Sequence, residues 1–327
     1  MTESSFKKYC VTIFFLLLIL IIAVAMNIGL GSTAVNWSSD LGLFIIRQVR
    51  IPRCILAILV GMSLSLAGAV FQALFRNPLA DPHLLGISAG GALGVVIGSG
   101  VLAGGLLVFS IPMLSVIGSL VTMVLVYRLS LRKGALSLYT LLLVGVMLNS
   151  LFVAMIIFVQ SLVRSDELIT VLFWLIGQLT FANPMRLAIV ATIFIIVAIL
   201  VLKQAKKLNI LSLGEATAFY LGVNVERIKK ILFFLAALLT GVVVSVSGMI
   251  GFVGLVVPHI ARLMVGSDYR RLLPACILIG AIVLVLSDLI ARTILAPQEL
   301  PVGVITSFLG APFFIYLLKR REAKRIL

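Results

Sequence analysis

The amino-acid sequence predicts an all-α membrane protein of about ten transmembrane helices, with residues 1–327 forming a single transmembrane domain. First, 62% of the residues are hydrophobic and 11% are charged, a balance that a water-soluble domain could not cover with a polar surface. Second, the apolar residues form long runs separated by short polar loops. Third, most basic residues fall in alternate loops, as they do in membrane proteins with Lys- and Arg-rich cytoplasmic loops.

Long apolar runs mark the membrane spans. A helix that crosses a membrane needs about 20 predominantly apolar residues. The first run follows two lysines, as in a signal peptide, but it is longer than a signal peptide's apolar core of about 7–15 residues, so we expect it to be retained. The predicted spans lie near residues 9–31, 53–75, 84–105, 106–128, 136–161, 184–203, 228–248, 250–264, 272–294 and 301–319.

Two Pro-His pairs interrupt the predicted helices. Pro258 and His259 lie within the short eighth span, and Pro82 and His83 lie in the turn between the second and third spans. Helices break or kink at such positions. Because the pairs fall in opposite halves and their flanking spans run in opposite directions, we expect an inverted repeat that relates spans 2–5 to spans 7–10.

The distribution of positive charge predicts an orientation. With the amino terminus inside, 20 of the 26 Lys and Arg residues fall on the cytoplasmic side. This asymmetry predicts an inner-membrane protein with both termini in the cytoplasm. It also accounts for the net charge of +15 without a nucleic-acid partner. The six residues on the outer side are Arg47, Arg50, Arg53, Arg164, Arg186 and Arg292.

The largest predicted cytoplasmic loop spans about residues 203–230. A helix that begins near Gly214 would have Glu215 in its first turn, where a carboxylate suits the helix dipole. Gly222 would then cap its carboxyl end. Two interpretations remain open: short helices that contact another protein, or an ordinary solvated loop.

The sequence contains no motif for covalent or metal chemistry. It has no GxxxxGK[ST] phosphate loop, no HExxH, no paired-cysteine motif and no nucleophile elbow. The three cysteines are isolated in apolar runs, and the two histidines lack neighbours with metal-ligand spacing. We therefore expect no enzymatic activity, cofactor or metal site, and a partner must hydrolyse any ATP that drives transport.

Charged residues near the predicted outer ends of spans suggest two roles. Asp288 lies in an apolar run, where a charge costs about 2.5–3.5 kcal/mol on insertion scales. Arg292 follows at i+4, so we expect an intramembrane ion pair rather than a proton relay. Arg50 and Arg53 flank Pro52, and fixed guanidinium groups there suit either docking of carboxylates or contact with lipid headgroups.

Several longer motifs are spread over nearly the whole chain. They are RIPR from Arg50 to Arg53, RNPLADPHLLG from Arg76 to Gly86, LGExxAxxLGV from Leu213 to Val223, GMIGFVGLVVPHIAR from Gly248 to Arg262, ELPVG from Glu299 to Gly303 and GAPFF from Gly310 to Phe314. Together they resemble the FecCD-type permeases. These are the transmembrane subunits of type II ABC importers for iron complexes and cobalamin.

The resemblance implies an importer that works by alternating access in membrane lipid. Its partners would be a second permease subunit, with a homodimer expected, a dimer of cytoplasmic ABC ATPases and an extracytoplasmic substrate-binding protein. The ligand would be a metal chelate: an iron complex such as a ferric siderophore or haem, or, as the alternative, cobalamin.

The resemblance also assigns roles to individual positions. Docking of the binding protein would fall to Arg50, Arg53 and Arg292. Coupling to the ATPase would fall to Leu213, Gly214, Glu215, Ala218, Phe219, Leu221 and Gly222. The cytoplasmic gate would contain Asn77, Leu79, Ser137 and Leu138. Phe219 departs from the polar or basic residue expected there, but an exposed Phe suits an apolar anchor at a protein interface.

Two other functional classes fit the composition less well. An ion-coupled secondary transporter would share the inverted repeat but needs several ionisable residues near the middle of the membrane, where Asp288 is the one candidate. An intramembrane enzyme would need paired carboxylates or a Ser/His couple within its spans, and the sequence offers neither. The importer is therefore the favoured interpretation.

Overall fold

The computed structural model describes residues 3–32, 38–101, 107–132, 134–162, 175–179 and 183–323. Four cations that contribute to the predicted orientation lie outside these residues: Lys133, Arg164, Lys324 and Arg325.

The described chain is a bundle of helices. Two strands, Leu131–Arg132 and Ala135–Leu136, form a short antiparallel hairpin in which Leu131 is opposite Leu136. In chain order the elements are α1 (Glu3–Gly29), α2 (Asp40–Ile45), a π-helical turn (Ile46–Arg50), α3 (Ile51–Phe75), a 3-10 turn (Pro82–Leu85), α4 (Ile87–Val101), α5 (Leu107–Leu129), β1 (Leu131–Arg132), β2 (Ala135–Leu136), α6 (Leu138–Leu162), α7 (Pro184–Lys203), α8 (Ala205–Ser212), α9 (Glu215–Tyr220), α10 (Val225–Ser247), α11 (Val253–Val265), α12 (Tyr269–Thr293) and α13 (Val302–Ala323).

A helix occupies each of the ten segments predicted to span the membrane, so the all-α membrane fold is confirmed. The exact number of spans and the inverted repeat stay predictions. Within the described residues, seven helical segments are long and apolar enough to cross a membrane: Lys7–Gly29, Asp40–Phe75, Pro112–Leu129, Leu138–Leu162, Pro184–Lys203, Val225–Ser247 and Tyr269–Thr293. The shorter apolar helices are Ile87–Gly98, Val253–Val265 and Val302–Tyr316.

Helices α3 and α12 form the centre of the bundle, and both are buried over most of their length. Small residues allow the close approach: a Cβ at Gly61 would collide with the backbone carbonyl of Gly280. Ser65 Oγ then donates to the carbonyl of Cys276 at 2.8 Å. Between spans in lipid, such close packing and hydrogen bonds replace the hydrophobic effect as the source of attraction.

The two Pro-His regions meet inside the bundle. Arg76 adopts a left-handed conformation, with φ of 48°, and ends α3; Phe252 does the same, with φ of 67°, before α11. His83 connects the two regions, since its Nδ1 lies 2.7 Å from Ser88 Oγ and its Nε2 lies 2.7 Å from the carbonyl oxygen of Ile250. The chain leaves helical structure between α3 and Pro82, as the sequence predicts. The second prediction was wrong in position: Pro258 and His259 lie inside the continuous helix α11, and the break falls before it, at residues 248–252.

Helix α3 runs between two ends of the bundle that carry most of the predicted site residues. We call them the arginine end, which contains residues 27–32, 38–53 and 285–300, and the hairpin end, which contains residues 76–81, 130–132, 134–139 and 204–229. Helix α12 also connects the two ends. Asp288 binds Arg53 at the arginine end, and Asp268, which caps the start of α12, binds Asn209 at the hairpin end.

Candidate functional sites at the two ends of the bundle

The three arginines predicted to dock a partner are buried. Arg50, Arg53 and Arg292 are 4%, 9% and 3% exposed. The structure thus corrects the expectation of guanidinium groups displayed at the mouth of the second span. Position along a span indicates depth in the membrane, but it does not indicate whether a side chain turns towards solvent or into the bundle.

The carboxylate of Asp288 is at the centre of the arginine end and is fully buried. Its Oδ1 accepts from Arg53 Nε at 2.8 Å, and its Oδ2 accepts from Asn27 Nδ2 at 3.0 Å. The expected i+4 pair is present, with Arg292 Nε 3.1 Å from Oδ2, although the Nε–H group of Arg292 has no aligned acceptor. Sequence analysis missed Arg53 as a partner, because the two residues are 235 positions apart.

Glu299 forms the exposed edge of this network. Its Oε2 accepts from Arg53 Nη1 at 2.6 Å, its Oε1 accepts from Ser32 Oγ at 3.1 Å, and its side chain is 31% exposed. Burial alone would raise the pKa of Glu299, but the hydrogen bond and charge of Arg53, the hydroxyl of Ser32 and the charge of Arg292 together hold it below its usual value.

Arg50 and Arg292 also donate to the last turn of α1. Arg50 Nη1 donates to the carbonyls of Ile28 at 2.9 Å and Gly29 at 2.8 Å. Arg292 Nη2 donates to the carbonyl of Asn27 at 2.8 Å. Carbonyls at the end of a helix have no partner within it and carry partial negative charge, which cations stabilise. The network therefore joins α1, α3, α12 and the segment before α13.

At the hairpin end, the predicted loop forms two short helices. Helix α8 is tied to α12: Asn209 Nδ2 donates to Asp268 Oδ1 at 2.6 Å, and the amide of Tyr269 donates to Asn209 Oδ1 at 2.9 Å. Burial acts to raise the pKa of Asp268, but the backbone amide of Arg270, the Asn209 amide and the charges of Arg270 and Arg271 lower it on balance.

Helix α9 begins and ends as the sequence predicts. Gly214 is its N-cap, with φ of 123°, and Glu215 lies in its first turn. Gly222, with φ of 77°, follows its end, where the amide of Val223 donates to the carbonyl of Ala218 at 3.0 Å. A left-handed glycine with this long return hydrogen bond is a common helix stop that few other residues adopt without strain.

The outer surface of this loop is unusually apolar. Ala218, within α9, is buried. Contiguous exposed apolar side chains often mark an interaction site. The exposed side chains, which we call the loop patch, are Leu213 (67%), Phe219 (71%), Tyr220 (86%) and Leu221 (58%).

Two of the four residues predicted to form the gate, Ser137 and Leu138, share a cleft with Glu215 of α9. Ser137 Oγ caps α6 by accepting from the amide of Thr140 at 3.3 Å, and Asn77 Oδ1 accepts from the amide of Leu79 at 2.9 Å. Ser137 and Leu138 line a cleft of about 460 Å³ that also contacts Arg76, next to Asn77. The other residues that line this cleft are Phe75, Leu136, Tyr139, Leu142, Glu215 and Lys229.

Sequence analysis missed Lys229, which is buried between these segments. Its local signal is Glu226 at i−3, a spacing at which opposite charges pair on a helix. In the described part of the chain, no group of three His, Cys, Asp or Glu side chains could hold a metal ion.

A comparison with known families decides the assignment. The FecCD transport family matches residues 10–320. The chain belongs to the FecCD transport family. It is therefore a multi-pass transport permease subunit of the inner membrane.

Individual relatives of this FecCD permease cover nearly its full length. It is 39% identical over 329 residues to the Hemin transport system permease protein HmuU of Yersinia pestis, with 95% of this chain and 96% of that protein covered. It is 37% identical over 319 residues to the Vitamin B12 import system permease protein BtuC of Klebsiella pneumoniae, with 95% and 94% covered. An inward-facing structure assigned to the metal-chelate type of ABC transporter matches with a TM-score of 0.85 and 33% identity, covering 95% of this chain and 99% of that one.

Proposed function

We propose that this permease imports an iron chelate, a ferric siderophore or haem, into the cytoplasm. The observation that carries the choice of ligand is the 39% identity to HmuU across almost the whole of both chains. Cobalamin is the second candidate, because BtuC of Klebsiella pneumoniae is 37% identical over a similar length.

In this proposal the hairpin end and both termini face the cytoplasm. A dimer of ABC ATPases binds the loop patch and hydrolyses the ATP that drives transport. Support comes from Phe219 and Tyr220, which are 71% and 86% exposed. Large apolar and aromatic side chains of this kind form the buried centres of protein interfaces.

A second copy of the permease completes the transport path. Helices α6 and α13 both present large apolar side chains away from the bundle, including Met147 and Phe158 on α6 and Phe308 on α13. These faces suit contact with membrane lipid or with a second subunit. Motion of the two copies against each other then exposes a central path first to the outside and later to the cytoplasm, opened at Asn77, Leu79, Ser137 and Leu138.

The arginine end faces outwards and docks a loaded substrate-binding protein. Arg53 is held by Glu299, which is partly exposed, so an incoming carboxylate meets Glu299 first and competes with it for Arg53. Arg50 and Arg292 lie behind in the same network. Docking in this form rearranges an existing set of ion pairs, and exposed charges steer the approach over roughly 8–10 Å.

The contacts of Asp288 disfavour an ion-coupled transporter. Its carboxylate is fully buried and faces Arg53, Arg292 and Asn27. Both carboxylate oxygens are occupied by donors from the bundle, whereas the ionisable residues of a proton relay line a water-filled path.

The experiment is reconstitution of the permease in liposomes with its ATPase and binding protein. Haemin, a ferric siderophore and cyanocobalamin are supplied separately, with a non-hydrolysable ATP analogue as the control. We expect ATP-dependent accumulation of haemin or the ferric siderophore. Accumulation of cobalamin alone would make cobalamin the ligand in place of an iron chelate. Accumulation of none of the three would contradict the proposal.

A further inference from the structure

The ammonium group of Lys229, near the start of α10, is enclosed by three different segments. The Lys229 side chain is 3% exposed. Nζ donates to the carbonyl of Leu136 in β2 at 2.9 Å and to Glu215 Oε2 in α9 at 3.1 Å. It also lies 2.5 Å from Glu226 Oε1 in α10. A lysine has three N–H donors, so these three acceptors match its full capacity.

Glu226 also binds β2, the strand that contains Leu136. Its second oxygen, Oε2, accepts from the amide of Leu136 at 2.8 Å. Both backbone polar groups of Leu136 are therefore bound, the carbonyl by Lys229 and the amide by Glu226. Leu136 directly precedes Ser137, which caps α6. The strand that enters the predicted gate is thus attached to α10 through two side chains.

We propose that Lys229 is a positioning residue that transmits displacement of α9 to the gate segment at Ser137 and Leu138. This inference rests on the proposed function, which assigns the ATPase contact to α9 and the gate to this segment. The path consists of two polar contacts, from Glu215 to Lys229 and from Lys229 to Leu136. Along the chain, by contrast, Lys229 and Leu136 are 93 residues apart.

The attachments of the loop support this direction of transmission. Helix α8 is held separately, by Asn209 against Asp268 at the start of α12. Helix α9 lies between Gly214 and Gly222 and is bound through Glu215 to Lys229. A force on the loop patch that moves α9 relative to α12 is therefore passed to the hairpin. Lys229 is suited to this role because separating a buried charge from its ion-pair partner is energetically costly: it leaves an uncompensated charge. Lys229 should therefore stay paired with Glu215 when α9 moves.

The test uses the full permease bound to its ATPase. Cys10, Cys54 and Cys276 are replaced by alanine, and Leu138→Cys provides a single probe whose rate of maleimide labelling is measured with and without ATP. In the probe protein with Lys229 intact, ATP changes this rate. In Lys229→Met the ATPase still binds and hydrolyses ATP, but the ATP-dependent change in rate falls by about fivefold or more.

Two further variants keep the inference falsifiable. Lys230→Gln removes the same charge from the next residue, which is exposed and lies over the ring of Tyr127, and it should leave the response intact. Glu226→Gln preserves side-chain shape and should weaken the response even if Lys229→Met fails to fold.

The outcomes separate this inference from the proposed function. A full response in Lys229→Met or in Glu226→Gln, with the ATPase bound, would overturn the role of Lys229 and leave the proposed function standing. If the probe protein with Lys229 intact neither binds the ATPase nor responds to ATP, the proposed function itself fails, and the transmission role fails with it.

Discussion

Arg53 and Asp288 form a buried ion pair between α3 and α12, with Nε 2.8 Å from Oδ1, although 235 residues separate them in the sequence. Asp288 is fully buried, and Arg53 also reaches Glu299. This ion pair therefore joins α3 to α12 and to the segment before α13 at the arginine end.

Loss of the Asp288 carboxylate should strongly destabilise the fold. Asp288→Ala leaves Arg53 and Arg292 buried without their shared carboxylate, and breaking a buried pair in this way costs about 3–5 kcal/mol. Thermal unfolding of the purified protein in detergent measures the effect. Asp40→Ala, which removes an exposed carboxylate at the start of α2, is the control and should change stability little. Equal stability of the two variants would contradict the central role of Asp288.

The contribution of Glu299 to stability should depend on pH in a defined direction. Its pKa in the folded protein is lower than the ordinary value of 4.5, because the effect of burial is outweighed by Arg53, Ser32 and Arg292. The folded state therefore binds this proton less readily than the unfolded state does. The stabilisation is fully present above about pH 4.5 and is lost as pH falls through the lower folded value.

The measurement compares the wild type with Glu299→Gln in thermal unfolding from pH 7 to pH 3. The difference in stability should be constant at neutral pH and should shrink below about pH 4.5. A difference that grows as the pH falls would contradict the lowered pKa of Glu299.

Removing the aromatic ring of Phe219 should weaken the ATPase complex without unfolding the permease. Phe219 is 71% exposed, so Phe219→Ser leaves no cavity in the bundle. An aromatic residue at the centre of an interface contributes about 2 kcal/mol, which is about thirtyfold in Kd. Binding of the purified ATPase to the permease in nanodiscs gives this Kd.

Phe14 provides the matched control, because it is 65% exposed but lies on α1. Phe14→Ser should leave the Kd for the ATPase unchanged. Equal Kd values for the wild type and Phe219→Ser would remove the loop patch from the proposed ATPase contact.

Glu299→Gln should strengthen docking of the binding protein at low salt. Glu299 competes for Arg53 in the free permease, and its neutral replacement lets an incoming carboxylate bind more readily. The gain should be severalfold in Kd at low salt and should fall as salt rises, because the charges that steer docking are screened. Surface plasmon resonance with the loaded binding protein measures both effects. Weaker docking by Glu299→Gln at low salt would contradict competition between Glu299 and the partner.

Charge reversal of Arg50 and Arg53 should damage the fold as well as the proposed docking site. Both side chains are buried, so reversal places carboxylates beside Asp288 and the carbonyls of α1. Uptake should be lost through damage to the fold as well as through lost docking. Uptake at the wild-type level would contradict both roles.

Some features could be predicted because their causes are local in the sequence. Helix α7 occupies 184–203 as expected, since Pro184 lies near the start and Lys203 at the end of the apolar run of residues 187–202. Helix α9 follows from Gly214, Glu215 and Gly222, which act within one or two turns. The pair of Asp288 with Arg292 follows from helical spacing alone.

Other features depend on how distant segments pack. The partnership of Arg53 with Asp288 requires α3 and α12 to be neighbours, which no local pattern specifies. Likewise, apart from a glutamate three residues earlier, nothing in the sequence distinguishes Lys229 from the other basic residues of its loop. Its burial depends on the fold, in which the hairpin places the carbonyl of Leu136 within hydrogen-bonding distance of its ammonium group. The burial of Arg50 was missed because its acceptors, the last carbonyls of α1, are backbone groups.

Accumulation of haemin or of a ferric siderophore in vesicles that contain the permease, its ATPase and the binding protein tests the central claim most directly. Proton and sodium gradients are collapsed with ionophores, and ATP is supplied only to the ATPase side. We expect one of these two iron chelates to rise inside above its external concentration with ATP and to stay at background with the non-hydrolysable analogue. Accumulation that requires an ion gradient, or that proceeds without ATP hydrolysis, would contradict the account.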